Sequence, residues 1–185
     1  MPQQQLTLSR LKQILAHGFI WFLSPLFLIA CDRNEVDELN EQTLKHIKEV
    51  RTTDSLAITK YIADSSFTNV QRQPSGLYIV TRRPGTGNLP QAGQQVSVIY
   101  KGTFLNNRVF DQSVLGADSK LVPIMFPLGR GQVIAGWDEG IGLMRKGQKA
   151  ILLIPSALAY GTAGSRNTIP PDTPLRFDVE LTEIN

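Results

Sequence analysis

The most constraining feature of this 185-residue sequence is the glycine-rich stretch from Phe126 to Trp137. It begins as an apolar, strand-like segment, passes through Gly129 and Gly131, and ends in Val-Ile-x-Gly-Trp. Gly136 lets a neighbouring segment approach closely, and Trp137 directly after it is large enough to fill the floor of a cavity. A buried tryptophan is usually only part of a core. The stretch therefore predicts a tight turn inside an antiparallel domain and leaves a binding role open.

Short apolar segments separated by turn residues surround this stretch from Gly76 onward. The alternation of apolar and polar side chains and the turn residues between the segments predict strands at 77–80, 95–100, 109–111, 148–154 and 175–181. Residues 135–144 have room for one short helix only. The predicted fold class is α+β, with an antiparallel sheet and little helix.

The first thirty residues have the pattern of a secretory signal, which predicts a lipoprotein signal peptide over residues 1–30. A basic, acid-free start is followed by an apolar run and by Leu28-Ile29-Ala30-Cys31, which resembles the bacterial lipobox. In lipoproteins the cysteine thiol receives a diacylglycerol and cleavage occurs directly before it. The alternative is an uncleaved membrane span, because the run approaches the ~18–20 residues that a bilayer requires. His17 and Pro25 within the run weaken that alternative.

Residues 31–72 predict a helical N-terminal extension. A polar helix is expected from Glu35 to Val50, followed by a break at residues 51–54 and a second short helix capped by Thr53 or Asp54. The extension has too few apolar residues for a core of its own. It is therefore either a spacer or packs on the following domain.

Charge and composition exclude several classes of function. The formal charge is +3, and the first thirty residues carry two of the basic groups, which leaves 17 basic against 16 acidic residues. Nucleic acid is therefore not an expected partner. Residues 73–185 contain no histidine or cysteine, which excludes Ser/His/Asp and Cys/His catalysis and zinc sites with His or Cys ligands. Gly142-x4-Gly147 continues Gln148-Lys149, so it is not a phosphate-binding loop. No metal or cofactor is expected.

Aromatic side chains occur on most of the predicted strands, and they belong to ordered sequence blocks. The blocks are Val98-Ile99-Tyr100-Lys101-Gly102, Val109-Phe110-Asp111-Gln112-Ser113, Val133-Ile134-Ala135-Gly136-Trp137, Ala159-Tyr160-Gly161, Ile169-Pro170-Pro171 and Leu175-Arg176-Phe177-Asp178-Val179-Glu180-Leu181. Over residues 73–185 the chain thereby resembles the FKBP family, which contains macrolide-binding peptidyl-prolyl cis–trans isomerases. The resemblance implies about five antiparallel strands wrapped around one short helix.

The resemblance also implies roles for individual residues. Trp137 corresponds to the floor beneath a proline ring, and the Ile134 amide to the donor for a substrate carbonyl. Asp111 and Tyr160 correspond to polar contacts, and Ile169 to part of the rim. The implied catalytic residues are Tyr100, Phe110, Asp111, Trp137, Tyr160 and Phe177, and the implied substrate-binding residues are Phe126, Val133, Ile134 and Ile169.

Three departures from the family pattern lie at the rim. Ile124 stands where many members have an aromatic residue, Ser165 stands where many have histidine, and the loop from Gln112 to Pro123 is longer than in the minimal domain. These departures affect the expected sequence preference and macrolide affinity, not the fold.

The sequence thus predicts a peptidyl-prolyl isomerase that assists the folding of exported proteins. Its expected partners are proline-containing unfolded or exported polypeptides, macrolide ligands, and the membrane through lipidated Cys31, on the periplasmic or cell-surface side. The alternative is a non-catalytic peptide-binding or chaperone lipoprotein that uses the same apolar cleft.

Overall fold

The computed structural model describes residues 33–165 and 168–185. The predicted signal peptide and Cys31 lie outside these residues. The chain divides into two compact units, Met1–Glu41 and Gln42–Asn185. Of the first unit, the structure describes the start of a helix whose side chains from Val36 onward are exposed. Within the described part of the chain, no helix has both the length and the apolar character that a membrane crossing requires.

Helix α1 runs without interruption over Arg33–Asp64, so the predicted break at residues 51–54 is wrong. The segment contains neither glycine nor proline, and the Thr52 hydroxyl donates to the Lys48 carbonyl within the helix at 2.9 Å. Asp54 does not cap a helix. It is 2% exposed, and its carboxylate is bonded to another part of the domain.

The remaining elements form an antiparallel sheet with one further helix. They are β1 Val70–Arg72, β2 Tyr78–Arg83, β3 Gln95–Phe104, β4 Val109–Gln112, β5 Ile124–Pro127, α2 Ala135–Gly142, β6 Lys149–Ile154, β7 Leu175–Ile184 and two single 3-10 turns at Ser156–Leu158 and Gly161–Ala163. The strand order is β1-β2-β6-β7-β3-β4, and β5 pairs with the first half of β3 beside β4. Each predicted strand is present. Among the described residues the sheet has seven strands rather than about five, because β1 and β5 lie outside the five predicted ranges.

The sheet is covered on both faces. On one face α2 closes the larger core, to which β7 contributes Leu175, Phe177, Val179 and Leu181 in the alternation that its sequence predicts. On the other face, Ile58 of α1 is fully buried against Val80 and Leu153. The part of α1 that belongs to the second unit therefore packs on the domain, which decides between the two alternatives left open for the extension.

Two glycines bring α2 close to the sheet. A Cβ atom at Gly136 would lie 2.5 Å from Ile154 Cγ2, and one at Gly140 would lie 2.8 Å from Leu152 Cδ1. The close approach expected at Gly136 is confirmed, and it is made by side chains of β6. Trp137, which follows Gly136, is thereby held against the sheet.

Candidate active site

Trp137 is the centre of an aromatic cluster on the α2 side of the sheet. It is 3% exposed and meets Tyr100 of β3 edge-on, with ring centroids 5.1 Å apart and an interplanar angle of 81°. Phe177 of β7 also meets it edge-on, at 5.3 Å and 84°. Phe126 of β5 packs against it at 5.9 Å. Edge-to-face pairs of this kind add about 0.5–1.5 kcal/mol each beyond their buried area.

Phe110 of β4 extends the cluster. Its ring meets Phe177 at 5.5 Å and 87°. Gly102 of β3 makes this contact feasible, because a Cβ atom there would lie 2.7 Å from Phe110 Cζ and 2.9 Å from Phe177 Cε1. This role of Gly102 was not predicted from the sequence. The available signal was a glycine inside a strand, which often marks a close approach.

Exposure increases from the centre of the cluster to its edges. Trp137 and Phe177 are almost fully buried, at 3% and 4% exposure. The surrounding residues Tyr100, Phe110, Val133 and Ile134 are partly buried and pack against the core. A buried aromatic floor with half-exposed apolar walls can hold a small apolar ring, and a proline side chain is such a ring.

Asp111 and two phenols form the polar edge of the site. The Tyr100 hydroxyl donates to Asp111 Oδ2 at 2.7 Å, and the Gln112 N–H donates to Asp111 Oδ1 at 2.9 Å. Burial raises the pKa of Tyr100 above its ordinary value, and the hydrogen bond to Asp111 raises it further. Burial also raises the pKa of Tyr160, with a smaller contribution from the negative charge of Asp111. Both phenols therefore remain protonated donors at neutral pH.

The residues before α2 present a free backbone donor. The Ile134 carbonyl accepts from the Trp137 N–H at 2.8 Å, whereas no acceptor for the Ile134 N–H lies among the described residues. Asp138 holds the preceding loop, because its two carboxylate oxygens accept from the N–H groups of Gly129 and Gly131 at 2.9 and 3.0 Å. Sequence reasoning missed this role of Asp138. The signal was an acidic residue in the first turn of a helix that follows a glycine-rich loop.

The remaining predicted residues lie at or behind the rim. Ile169 is 3% exposed, and its backbone pairs with Ser165. Phe126 is also 3% exposed and lies behind Trp137 in the core. Ile124, two residues earlier on the same strand, is exposed, as is Met125 between them.

The loop between β4 and β5 adds apolar surface beside this rim. Leu115 and Leu121 pair as an isolated bridge that closes the loop, and both remain exposed. Within the described part of the chain there is no cluster of histidine, cysteine or acidic side chains that could hold a metal ion. The site therefore consists of aromatic walls, hydroxyl groups, one carboxylate and a backbone amide.

A family model described as FKBP-type peptidyl-prolyl cis-trans isomerase matches residues 87–182. The chain belongs to this family. The peptidyl-prolyl cis-trans isomerase Fkbp12 of Drosophila melanogaster is 40% identical over 110 residues, which are 59% of this chain and 98% of that protein. An FK506-binding protein of Neisseria meningitidis is 40% identical over 109 residues, 59% of this chain and 96% of that protein.

Solved structures agree with the family assignment. The crystal structure of a peptidyl-prolyl cis-trans isomerase from Pseudomonas syringae superposes with a TM-score of 0.63 at 31% identity, covering 75% of this chain and 95% of that one. The predicted α+β fold and peptidyl-prolyl isomerase activity are confirmed by these matches. The matched family region begins at residue 87, so α1, β1 and β2 lie outside it.

Proposed function

We propose that the cleft above Trp137 binds the proline of a polypeptide substrate and lowers the barrier to rotation about the preceding peptide bond. The observation that carries this proposal is the convergence of Trp137, Tyr100 and Phe177 at ring distances of 5.1–6.4 Å beside a carboxylate and an unpaired backbone amide. Phe110, Val133 and Ile134 serve as walls, and Ile169 belongs to the rim.

The physical basis is the resonance of the amide. An X–Pro bond rotates against a barrier of about 18–20 kcal/mol because rotation interrupts that resonance. The planar ground state is more dipolar than the twisted transition state, so an apolar cleft favours the transition state relative to the ground state. The free Ile134 N–H holds the substrate carbonyl, and Asp111 and Tyr160 contact the polar atoms of the twisted amide. No proton transfer is required.

Two substitutions test these roles. Asp111→Val and Tyr160→Phe should each lower kcat/KM on a short X–Pro peptide by about tenfold, which corresponds to about 1.4 kcal/mol of transition-state stabilisation. Asp118→Val and Tyr78→Phe are matched controls, because Asp118 pairs with Lys120 in the β4–β5 loop and the Tyr78 hydroxyl accepts from Arg72 on β1. Equal kcat/KM values for the site variants and the controls would refute the assigned roles.

We further propose that the protein is exported and anchored to a membrane through lipidated Cys31, so that its substrates are exported polypeptides. The support is the position of Cys31 directly after an apolar run and Leu28-Ile29-Ala30. Three acyl chains at about 0.8 kcal/mol per buried methylene would make the attachment effectively permanent. Cys31→Ser should leave an unprocessed precursor without lipid. A mature mass with a lipid adduct in that variant would contradict the proposal.

The same cleft is proposed to bind macrolides. The support is the name of the Neisseria relative, an FK506-binding protein, together with the shared aromatic blocks. FK506 should inhibit the isomerase competitively with a proline peptide. Inhibition that does not weaken as peptide concentration rises would place the macrolide elsewhere.

A further inference from the structure

The segment that carries Tyr160 and Ile169 is tied to helix α1 at both of its ends. This rim segment comprises residues 156–165 and 168–172. It contains the two 3-10 turns and the backbone bridge between Ser165 and Ile169. It has little regular structure of its own, so contacts with the rest of the domain decide how firmly Tyr160 is held.

Asp54 makes the first tie. Its Oδ2 atom accepts from both the N–H and the hydroxyl of Ser156, each at 2.7 Å. Both residues are buried, with 2% exposure for Asp54 and 1% for Ser156. A buried carboxylate that accepts two hydrogen bonds constrains its partner strongly, because losing it would leave two buried donors unpaired.

Ser156 begins the 3-10 turn that leads directly to Tyr160. The Ala159 N–H donates to the Ser156 carbonyl at 2.9 Å, and the Gly164 N–H donates to the Tyr160 carbonyl at 3.2 Å. Tyr160 therefore lies between two consecutive tight turns, and a displacement of Ser156 reaches it through the first of them.

His46 makes the second tie. Its Nε2 lies 3.0 Å from Asp172 Oδ2, and the Asp172 N–H donates to the Gly161 carbonyl at 2.9 Å. His46 and Asp54 are eight residues apart, so they lie about 12 Å apart along the helix axis. Helix α1 thus holds the rim segment at Ser156 and at Asp172. The hydrogen bond from the Asp172 N–H to the Gly161 carbonyl connects the second of these points to the residue that follows Tyr160.

A third contact of helix α1 is made with the turn that leads into strand β4. The Tyr61 hydroxyl donates to Asn107 Oδ1 at 2.9 Å, in the turn between β3 and β4. It also accepts from Arg176 Nη1 at 2.6 Å. Strand β4 carries Phe110 and Asp111, so the same helix supports both sides of the polar edge from behind.

We propose that the part of α1 from Gln42 to Asp64 is a positioning element of the isomerase site, with Asp54 as its central positioning residue. The proposal rests on the catalytic role proposed for Tyr160. Because the matched family region starts at residue 87, this support comes from a part of the chain outside that region. Asp54 acts through Ser156 and does not touch the substrate.

Hydrogen exchange on the full-length protein in detergent tests the mechanical half of this proposal without any activity measurement. Asp54→Ala should raise exchange of the Ala159, Gly164 and Asp172 amides by at least about tenfold and leave the amides of β3 and β7 unchanged. Ile58→Ala is the control, because it weakens the packing of the same helix without contacting the rim segment. Unchanged exchange of the rim segment in Asp54→Ala would overturn the proposal. The same increase in Ile58→Ala would overturn the assignment of Asp54 as the central positioning residue.

A double-mutant cycle tests the functional half. Asp54→Ala should lower kcat/KM by about fivefold in the wild-type background and by less than about twofold with Tyr160→Phe, because both changes act through one phenol. The Asp54→Asn variant, which keeps an acceptor oxygen, should recover most of the loss. Equal losses in both backgrounds would refute positioning through Tyr160.

Two outcomes keep the proposals separable. If the wild-type protein shows no isomerase activity, the proposed function fails, while the exchange experiment still decides whether α1 holds the rim segment. If Asp54→Ala does not fold, Ser156→Ala removes one of the two hydrogen bonds and is measured in the same way.

Discussion

Replacing Gly102 with alanine is the most specific perturbation of the aromatic cluster. The added Cβ atom would lie 2.7 Å from Phe110 Cζ, 2.8 Å from Phe110 Cε2 and 2.9 Å from Phe177 Cε1. Carbon atoms in good contact lie at least about 3.5 Å apart, so the two rings must retreat by a minimum of about 0.6–0.8 Å. Overpacking of this kind costs about 1–3 kcal/mol of stability. In a protein of this size that corresponds to a decrease in Tm of about 2–12 °C.

Activity should fall further than stability accounts for, because the displaced rings belong to the floor and the wall of the proposed substrate site. We expect kcat/KM to decrease by about tenfold or more at a temperature where the variant is fully folded. Thermal unfolding and a protease-coupled assay with an X–Pro peptide measure the two effects. Gly142→Ala is the matched control, since its Cβ atom would meet only Leu128 Cδ2 at 3.7 Å. Wild-type Tm and wild-type kcat/KM in Gly102→Ala would refute the assigned packing.

Three further predictions concern stability, pH and the loop before α2. Phe177→Ala should lower the free energy of unfolding by about 3–5 kcal/mol, measured by urea denaturation, and a loss below 1 kcal/mol would contradict its burial. The raised pKa values of Tyr100 and Tyr160 mean that the unfolded state loses these protons first as pH rises. Stability should therefore fall above about pH 10, while kcat/KM stays flat from pH 6 to 9, and a bell-shaped profile would contradict a proton-free mechanism. Asp138→Ala should raise KM more than it lowers kcat, because it frees the loop before Ile134, and an unchanged KM would refute that coupling.

The sheet and the cluster were largely predictable because they depend on local pattern. Strand β7 alternates buried and partly exposed residues from Leu175 to Leu181, as its sequence predicts. Tyr100, Trp137 and Phe177 were identified as one site from ordered sequence blocks, and the structure brings their rings together. Their assigned catalytic roles remain predictions.

Features that depend on tertiary contacts were not predictable in the same way. Asp54 is a residue type that often caps helices. Its hydrogen bonds are instead made to Ser156, 102 positions away in the sequence, and no local sequence pattern indicates them. The importance of Gly102 depends on two rings from other strands. Phe126 is buried beside Trp137, whereas Ile124 and Met125 of the same strand are exposed, so the burial of β5 does not follow strict strand alternation. The substrate-binding role of Phe126 remains a prediction.

The measurement that tests the central claim most directly is the rate of cis–trans isomerisation of a short X–Pro peptide with the full-length protein in detergent. The uncatalysed reaction takes tens to hundreds of seconds at 25 °C. The aromatic cleft predicts a clear acceleration that Asp111→Val and Tyr160→Phe reduce while folding stays intact. A wild-type rate equal to the spontaneous rate, in a protein that still prevents aggregation of an unfolded client, would contradict the claim and indicate a binding module.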